Sequence, residues 1–397
     1  MIEGAMAAMM DRILEALEQF PDLWGQLDRE ITADRALRYL EALEAVHGPS
    51  QTVRWTRAPV VERLLTADGL LGASGLTWVR NLERSGNAAL LLGSATRAKR
   101  VWLLAHLDQI SYLVDSGVGP LYNLMPLCYH MQREGGRPGV ALAFDLATRQ
   151  LIVSARGEIQ VRDGRVCFAL AEGGPIGPGH RVVYDSQLRH DAASGRITGY
   201  LDDSVGCVAL LLAAAALRAY PVEVFIGLTD EEEGPPSDGS QAFARGGRRL
   251  LRYFDAPELV IVSDSHEGRA MERGDGPEGL VLGDGAVFVE RSSAGRGAPT
   301  PPHLYALQQQ LATALATCGI RLRENRGGYV ARSEDINAAA LTPNIALLGF
   351  LAHDRHYADD VPTAHLADLL DLARAVACYT LLAHTALWDS LLGERDD

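Results

Sequence analysis

An apolar run that leads directly into four consecutive acidic residues is the part of this sequence best suited to chemistry. Residues 226–234 read IGLTDEEEG. Acidic side chains this close together repel one another, so within a cleft they need a cation among them. The run continues residues 222–228, whose composition is typical of a buried parallel strand, and open α/β sheets bind ligands at the carboxyl ends of such strands. A solvated acidic loop is the alternative, but this position favours a metal site.

Two further apolar runs end in side chains that can bind a metal. Residues 101–105 (VWLLA) lead into His106 and Asp108, and residues 258–263 (ELVIVS) lead into Asp264. In an extended chain, residues i and i+2 point to the same side, so Asp108 can lie next to His106. A buried, hydrogen-bonded histidine is the alternative interpretation of His106. The pattern predicts three parallel strands whose ends carry potential ligands.

Paired aspartates and a late histidine-rich loop add to these candidates. Asp202 and Asp203 precede an alanine- and leucine-rich stretch, 205–220, that has the composition of a long helix. Capping of that helix explains one aspartate but not two. His353 and His356 follow a later apolar strand, and either histidine alone is more typical of a surface loop. Only together with the strand ends do these residues indicate a site.

The mixture of histidine and carboxylate side chains, without thiolates, suits Zn²⁺, Co²⁺ or Mn²⁺ and disfavours a cysteine-rich structural zinc site. Two ions about 3.5–4 Å apart can share five ligands if one carboxylate bridges them. The chemistry of such a site is hydrolysis: the ions polarise a carbonyl group, and a nearby carboxylate takes the proton of the attacking water. A glutamate next to a metal-binding glutamate is the predicted base.

Composition excludes several other classes of function. The 397 residues carry a formal net charge of -14, which argues against nucleic-acid binding through a broad basic surface. No window reaches about 18 uninterrupted apolar residues, so we expect no membrane segment. The five cysteines are widely spaced without a CxxC pair, which predicts buried free thiols in a reducing compartment. Together with the lack of a basic leader, this predicts a cytoplasmic protein.

The order of patterns along the chain predicts two domains. Residues 9–20 and 33–47 have the spacing of amphipathic helices, whereas residues 113–195 consist of short β-type runs divided by Gly, Asp and Pro. From residue 196 onward, strands and helices alternate. We therefore predict an α/β fold with a mixed central sheet flanked by helices, formed by residues 1–112 and 196–397, and a β-barrel-like domain inserted at 113–195.

In their order and spacing, these motifs resemble the tetrahedral (TET) aminopeptidases, a family of dinuclear-metal exopeptidases. The motifs are HLD at 106–108, LDD at 201–203, DEEEG at 230–234, Asp264 and His356. The long gap between His106 and Asp202, filled with β-type sequence, is the most specific feature. The resemblance implies that His106 and Glu232 each bind one ion and that Asp202 bridges both. It further implies that Asp264 and His356 complete the two sites, that Glu231 is the general base, and that Asp108 orients His106.

The run of three glutamates leaves a second register open, in which Glu232 is the base and Glu233 the ligand. Other motifs depart from the family pattern. Gln109 and Ser111 stand in a segment that is usually Glu-Ile-Gly, and residues 333–335 (SED) replace Gly-Thr-Asp. Residues 353–356 (HDRH) replace the usual Arg-Tyr-x-His.

We therefore predict a metal-dependent aminopeptidase that acts on peptides and holds two divalent ions per chain, with zinc as the first expectation and cobalt or manganese as alternatives. The resemblance also implies a homo-oligomer built from dimers, typically a dodecamer, with the insert contributing dimer contacts or a lid. Two other interpretations remain. One is an amidohydrolase or deacylase on the same scaffold, and the other is a catalytically degenerate binding or assembly protein.

Overall fold

In the computed structural model, a mixed sheet of eight strands forms the centre of the chain. The structure describes residues 2–72, 75–234, 244–267, 280–292, 297–326 and 334–392. In spatial order the strands are Leu76–Val79 (β1), Ala88–Leu92 (β2), Val224–Thr229 (β12), Val101–His106 (β3), Leu259–Glu267 (β13), Ile345–Ala352 (β16), Ala286–Val289 (β14) and Leu322–Glu324 (β15). The four central strands, β12, β3, β13 and β16, run parallel, and antiparallel pairings flank them on both sides. Their buried apolar composition is that of strands covered on both faces.

Helices cover the two faces of this sheet. They are Ile2–Glu18 (α1), Leu23–Glu30 (α2), Ala33–Glu44 (α3), Arg57–Ala67 (α4), Ser204–Leu217 (α5), Arg245–Leu250 (α6), Pro302–Thr317 (α7), Asp335–Ala338 (α8), Leu366–Leu382 (α9) and Ala386–Leu392 (α10). Alternate residues of β3 pack into different hydrophobic clusters. Leu103 lies with α5 and α9 in one, and Trp102 lies with Leu250 of α6 in the other.

The helix that begins at Ser204 lies at the centre of the larger cluster. All of its residues are buried, and it packs against α2, α3, α9 and β3. Asp203 caps its amino end, because the carboxylate accepts a hydrogen bond from the Gly206 N–H at 3.0 Å. This fixed start also determines where the neighbouring Asp202 lies.

Between β3 and α5 the chain forms a closed barrel of six strands. They are Ser111–Val118 (β4), Leu121–Leu127 (β5), Gly135–Asp145 (β6), Gln150–Arg162 (β7), Arg165–Gly173 (β8) and Arg181–Tyr184 (β9). A small sheet of Arg189–His190 (β10), Arg196–Thr198 (β11) and Thr363–His365 (β17) follows. The barrel has its own core, which includes Tyr112, Ile159 and Phe168. The predicted fold class, a helix-flanked mixed sheet with an inserted barrel-like domain, is confirmed, while the domain boundaries at 113 and 195 stay a prediction.

Several local expectations need correction. The sequence of residues 363–387 predicts a single long helix, but Thr363 belongs to a strand that pairs with His353, and the side chain of His365 caps a helix that begins at Leu366. Helices α2 and α4 were not predicted. The sequence also predicts a helix around 240–254; residues 240–243 lie outside the described residues, and the helix described there is Arg245–Leu250. All five cysteines are free, as predicted, but Cys318 is exposed rather than buried. Within the described ranges, none of the helices has the length and apolarity that crossing a membrane requires.

Candidate metal centre

The register of the parallel strands brings the predicted ligands together. Thr229 at the end of β12 lies opposite His106 at the end of β3, so the acidic run that follows Thr229 starts beside the histidine. On the other side of β3, Val262 pairs with Leu104, and Asp264 follows two residues later. Parallel strands share one carboxyl edge. Side chains from three strand ends therefore meet there.

His106 is buried and directs one ring nitrogen at carboxylates. Its Nδ1 lies 3.2 Å from the backbone carbonyl oxygen of Asp108, which can only accept, so Nδ1 carries the proton. In the neutral ring, Nε2 is then an acceptor. This Nε2 lies 3.2 Å from Asp202 Oδ1, 3.9 Å from Glu232 Oε2 and 4.0 Å from Asp264 Oδ1. The acceptor atoms converge on a point that suits a cation.

His356 has the same arrangement on the other side of Asp202. Its Nδ1 donates to the backbone carbonyl oxygen of Tyr129 at 2.6 Å. Its Nε2 lies 3.3 Å from Asp202 Oδ2 and 3.1 Å from Glu233 Oε2. The two oxygens of Asp202 thus face two different histidines. A carboxylate in this position can bridge two cations.

These donors fit a metal. Within the part of the chain that the structure describes, Asp202 Oδ2, Glu233 Oε1 and His356 Nε2 are buried without a hydrogen-bond partner, and buried polar atoms in this state need a cation, water or proton. Carboxylate and imidazole groups without thiolate suit Zn²⁺, Co²⁺ or Mn²⁺. Two groupings have ligand atoms that all lie within 4.8 Å of one another: one joins His106, Asp202 and Glu233, and the other joins His106, Asp203 and Asp264. Both groupings share His106.

The glutamates of the acidic run point in different directions: two lie in the metal centre, and one lies outside it. Glu231 has a left-handed backbone (φ 62°), and its carboxylate pairs with Arg249 and lies 3.9 Å from Arg245. Glu232 and Glu233 instead face the two histidines. The structure therefore brings together His106, Asp202, Glu232, Asp264 and His356 as expected, but it does not bring Glu231 to them.

Asp108 contacts both the acidic run and the histidine ring. Its carboxylate accepts hydrogen bonds from the backbone N–H groups of Glu232 (3.2 Å) and Glu233 (3.4 Å) and from the hydroxyl of Ser50 (2.6 Å). The carboxylate lies 3.6 Å from His106 Nδ1, farther than the backbone oxygen of the same residue. Its backbone orients the ring, and its side chain fixes the glutamates.

A buried asparagine supports the start of the same loop. Asn87 accepts a hydrogen bond from the Asp230 N–H at 2.9 Å and donates one to the carbonyl oxygen of Gly246, also at 2.9 Å. Asp230 in turn accepts from the N–H of Gln51 at 2.7 Å. These hydrogen bonds link the start of the acidic run to Asn87, just before β2, and to Gln51, in the segment before α4.

Burial and the charges of neighbouring groups shift the pKa values of side chains in the centre. Burial raises the pKa of Glu232 well above its ordinary value, and Asp264 and Glu233 add to this while His106 opposes it. Burial also lowers the pKa of His356, but the nearby carboxylates of Glu233 and Asp202 outweigh it and raise the value to about 9. Without metal, protons on the histidines offset the negative charge of the acids.

Solved structures with a similar architecture include several aminopeptidases. An aminopeptidase from the archaeon Desulfurococcus kamchatkensis has a TM-score of 0.68 at 16% identity, covering 92% of this chain and 99% of that chain. The TET1 peptidase of Pyrococcus horikoshii, described as assembling into a tetrahedron or a large octahedral shell, has a TM-score of 0.64 at 18% identity over 87% of this chain and 99% of that one. The chain has the fold of the TET aminopeptidases.

Aminopeptidase I from Clostridium acetobutylicum is also similar, with a TM-score of 0.59 at 13% identity over 92% of this chain and 98% of that one. No protein-family model matches the sequence, and no curated protein does. At sequence identities this low, the similarity shows that the chain shares the TET aminopeptidase fold. It does not show that the chain shares the activity.

Within this TET-type fold, sequence reasoning missed residues that surround the centre. Glu233 was named only in the second register, and Asp203 only as one of the two aspartates that precede the helix. Glu334, within the departure at 333–335, is fully buried and hydrogen-bonds to Thr229. Tyr129 was not singled out, because a backbone carbonyl carries no signal in the sequence. Arg355, directly before His356, was noted only as part of an altered motif.

Proposed function

We propose that the chain is a metal-dependent aminopeptidase that removes the amino-terminal residue of peptides. One observation carries this proposal: the Nε2 atoms of two buried histidines, His106 and His356, converge on the two oxygens of Asp202. Both rings have their other nitrogen bound to a backbone carbonyl, the arrangement typical of metal-binding histidines. The TET aminopeptidase fold supports a peptide substrate.

Two positions for divalent ions follow from the donors. The first position would use His106, Asp202 and Asp264, and the second would use Asp202, Glu233 and His356. Zn²⁺ suits this donor set best, with Co²⁺ or Mn²⁺ as alternatives. Bound ions would polarise the scissile carbonyl and make water easier to deprotonate.

Glu232 is the proposed general base, in place of Glu231. Its carboxylate is buried and lies near His106 without being required as a ligand at either position. It would accept a proton from the attacking water and deliver it to the departing amine. Glu231 is unsuited to this role because Arg249 and Arg245 hold its carboxylate. Asp108 would position Glu232 through the backbone hydrogen bond described above.

We further propose that the chain forms a homo-oligomer through the barrel. The TET1 peptidase of Pyrococcus horikoshii assembles into closed shells, and a related structure contains a dodecamer. Among the described residues, five of the six large exposed hydrophobic side chains lie on or next to the barrel, namely Met125, Tyr129, Leu146, Ile152 and Val153; the sixth is Val281. Such side chains favour protein contacts. Analytical ultracentrifugation tests this, and a monomer at all concentrations would contradict it.

Hydrolysis of an aminoacyl-anilide panel, measured with and without a chelator, tests the activity. We expect cleavage of substrates with a free α-amine, loss of cleavage on chelation, and recovery after addition of Zn²⁺ or Co²⁺. N-acylated amino acids serve as the control substrates. Cleavage of these alone would indicate the deacylase alternative, and absence of both turnover and bound metal would indicate a binding protein.

A further inference from the structure

A buried arginine lies beside the bridging carboxylate. The side chain of Arg355 is 6% exposed, and its Nη1 lies 3.6 Å from Asp202 Oδ2. Its Nε has no hydrogen-bond partner among the described residues. A guanidinium group stays charged in proteins. The centre therefore contains a permanent cation that belongs to the chain itself.

The charge of Arg355 acts on one side of Asp202 more than on the other. Asp202 Oδ2 faces His356, whereas Asp202 Oδ1 faces His106. Arg355 lies next to the oxygen on the His356 side, and it belongs to the same 3₁₀ turn, Arg355–Tyr357. The guanidinium therefore competes for the carboxylate oxygen that a second ion would use.

We propose that Arg355 makes the two ion positions unequal, so that the chain holds one divalent ion tightly at His106, Asp202 and Asp264 and a second one weakly at Glu233 and His356. This inference rests on the proposed metal centre. Like charges in a buried site repel strongly because little solvent screens them. The guanidinium also neutralises part of the negative charge that would attract the second ion. The altered motif at 353–356 is thus the reason for the asymmetry.

The consequence is an enzyme whose second ion exchanges readily. At low metal concentration the chain holds one ion, and the second joins as the concentration rises. The ligands of the first position are His106 at the end of β3, Asp264 on β13 and Asp202 just before α5. Asp264 also attracts the guanidinium group. The closest ion pair described for Arg355, however, joins it to Asp202 Oδ2, the oxygen on the His356 side, so we expect its stronger influence on the second ion.

Titration of the chelator-treated full chain with Co²⁺, followed by calorimetry and by elemental analysis after dialysis, tests the proposal. For the native chain we expect one retained ion and a second with a dissociation constant at least tenfold larger. In Arg355→Met the second dissociation constant should fall at least tenfold, so that two ions are retained. Arg355→Gln, which is also neutral, provides a second variant if Arg355→Met folds poorly.

Two controls separate charge from packing. Arg355→Lys keeps the positive charge and should retain the unequal affinities. Arg100→Met removes a positive charge just before β3, at the opposite end of the strand from His106, where Arg100 pairs with Glu258 and Asp389, and it should change neither constant. Two equal constants in the native chain, or no change in both neutral variants, would overturn the proposal. Absence of any bound ion in every variant would overturn the proposed metal centre as well.

Discussion

His106 stands at the end of a central strand, whereas His356 stands in a turn that the inserted barrel supports. The strand has regular parallel neighbours on both sides. The turn contains three residues with left-handed backbones, namely Asp354 (φ 57°), His356 (φ 54°) and Tyr357 (φ 58°). Each such non-glycine residue costs on the order of 1 kcal/mol or more, and it persists only if its surroundings hold it.

The barrel provides those surroundings. The Tyr357 ring stacks on Tyr184 of β9 at 3.9 Å, and its hydroxyl hydrogen-bonds with Ser186. The carbonyl oxygen of Tyr129, just after β5, fixes the His356 ring. One half of the centre thus follows from sheet register, and the other half depends on packing between two domains. We call the half with His106 and Asp264 the strand-built half and the half with His356 and Glu233 the turn-built half. Changes in the barrel should disturb the turn-built half more than the strand-built half.

The largest expected effect concerns the base, which both halves share. Glu232→Gln should lower kcat by roughly 10²–10⁴-fold, because a neutral amide cannot take the proton of water. The matched change Glu231→Gln, in the neighbouring residue that pairs with arginines, should leave kcat within a few fold. Steady-state kinetics with an aminoacyl-anilide measures both. The opposite ranking would restore Glu231 as the base.

Metal removal should make stability depend on pH. The folded-state pKa of His356 is raised to about 9, above the ordinary value near 6.5, so its protonation stabilises the metal-free fold. This contribution is fully present below about pH 6.5, is lost as the pH rises through about 9, and amounts to about 3 kcal/mol. Thermal melts of the chelator-treated chain from pH 6 to 10 should record the loss. The metal-loaded chain serves as the control, and a parallel decline in both would contradict this account.

Loss of the tyrosine stack should affect the turn-built half alone. Tyr357→Ala removes the ring that packs on Tyr184, so we expect the affinity for the second ion to fall roughly 10- to 100-fold, the range seen for residues that support ligands. Tyr357→Phe keeps the ring and should lose much less. Co²⁺ titration of folded protein measures this. Equal weakening of both ions would show that the two halves are not separable.

The smallest effect is expected at Arg249. This side chain is 33% exposed and pairs with the buried carboxylate of Glu231. Arg245 remains 3.9 Å from that carboxylate, so Arg249→Met should lower stability by about 1–2 kcal/mol, the low end of the range for a buried group that loses one partner. Activity should stay within a few fold, since neither residue faces the histidines. A combined Arg249→Met and Glu231→Gln variant should be no less stable than the sum of the single changes predicts. A large loss of activity would place this ion pair in the catalytic machinery.

The sequence predicted the strand-built half well because its signals are local. An apolar run that ends in His106 or Asp264 marks a strand end, and parallel strands bring their ends together. The register of the acidic run lay beyond such reasoning. It depends on the left-handed backbone of Glu231 and on Arg249, which lies on a later helix. Nothing within residues 230–234 distinguishes the three glutamates.

In the turn-built half, the sequence indicated a site only through the histidines at 353 and 356. The support of His356 by the carbonyl of Tyr129 crosses from one domain to another, and the stack of Tyr357 on Tyr184 does the same. Such contacts have no periodicity that a single sequence reveals. The fold class was accessible because alternating strands and helices repeat over many residues, whereas individual contacts between domains do not.

The barrel also has a consequence for how the chain folds. It interrupts the chain between β3 and β12, which are direct neighbours in the central sheet. Closing such a long loop costs entropy and slows pairing of distant strands. Within the barrel, however, Tyr112 of β4 pairs with Val182 of β9, so its two ends meet. A barrel that folds first therefore shortens the loop that must close before β3 and β12 pair, since only residues 107–110 and 185–223 then lie between these strands and the barrel.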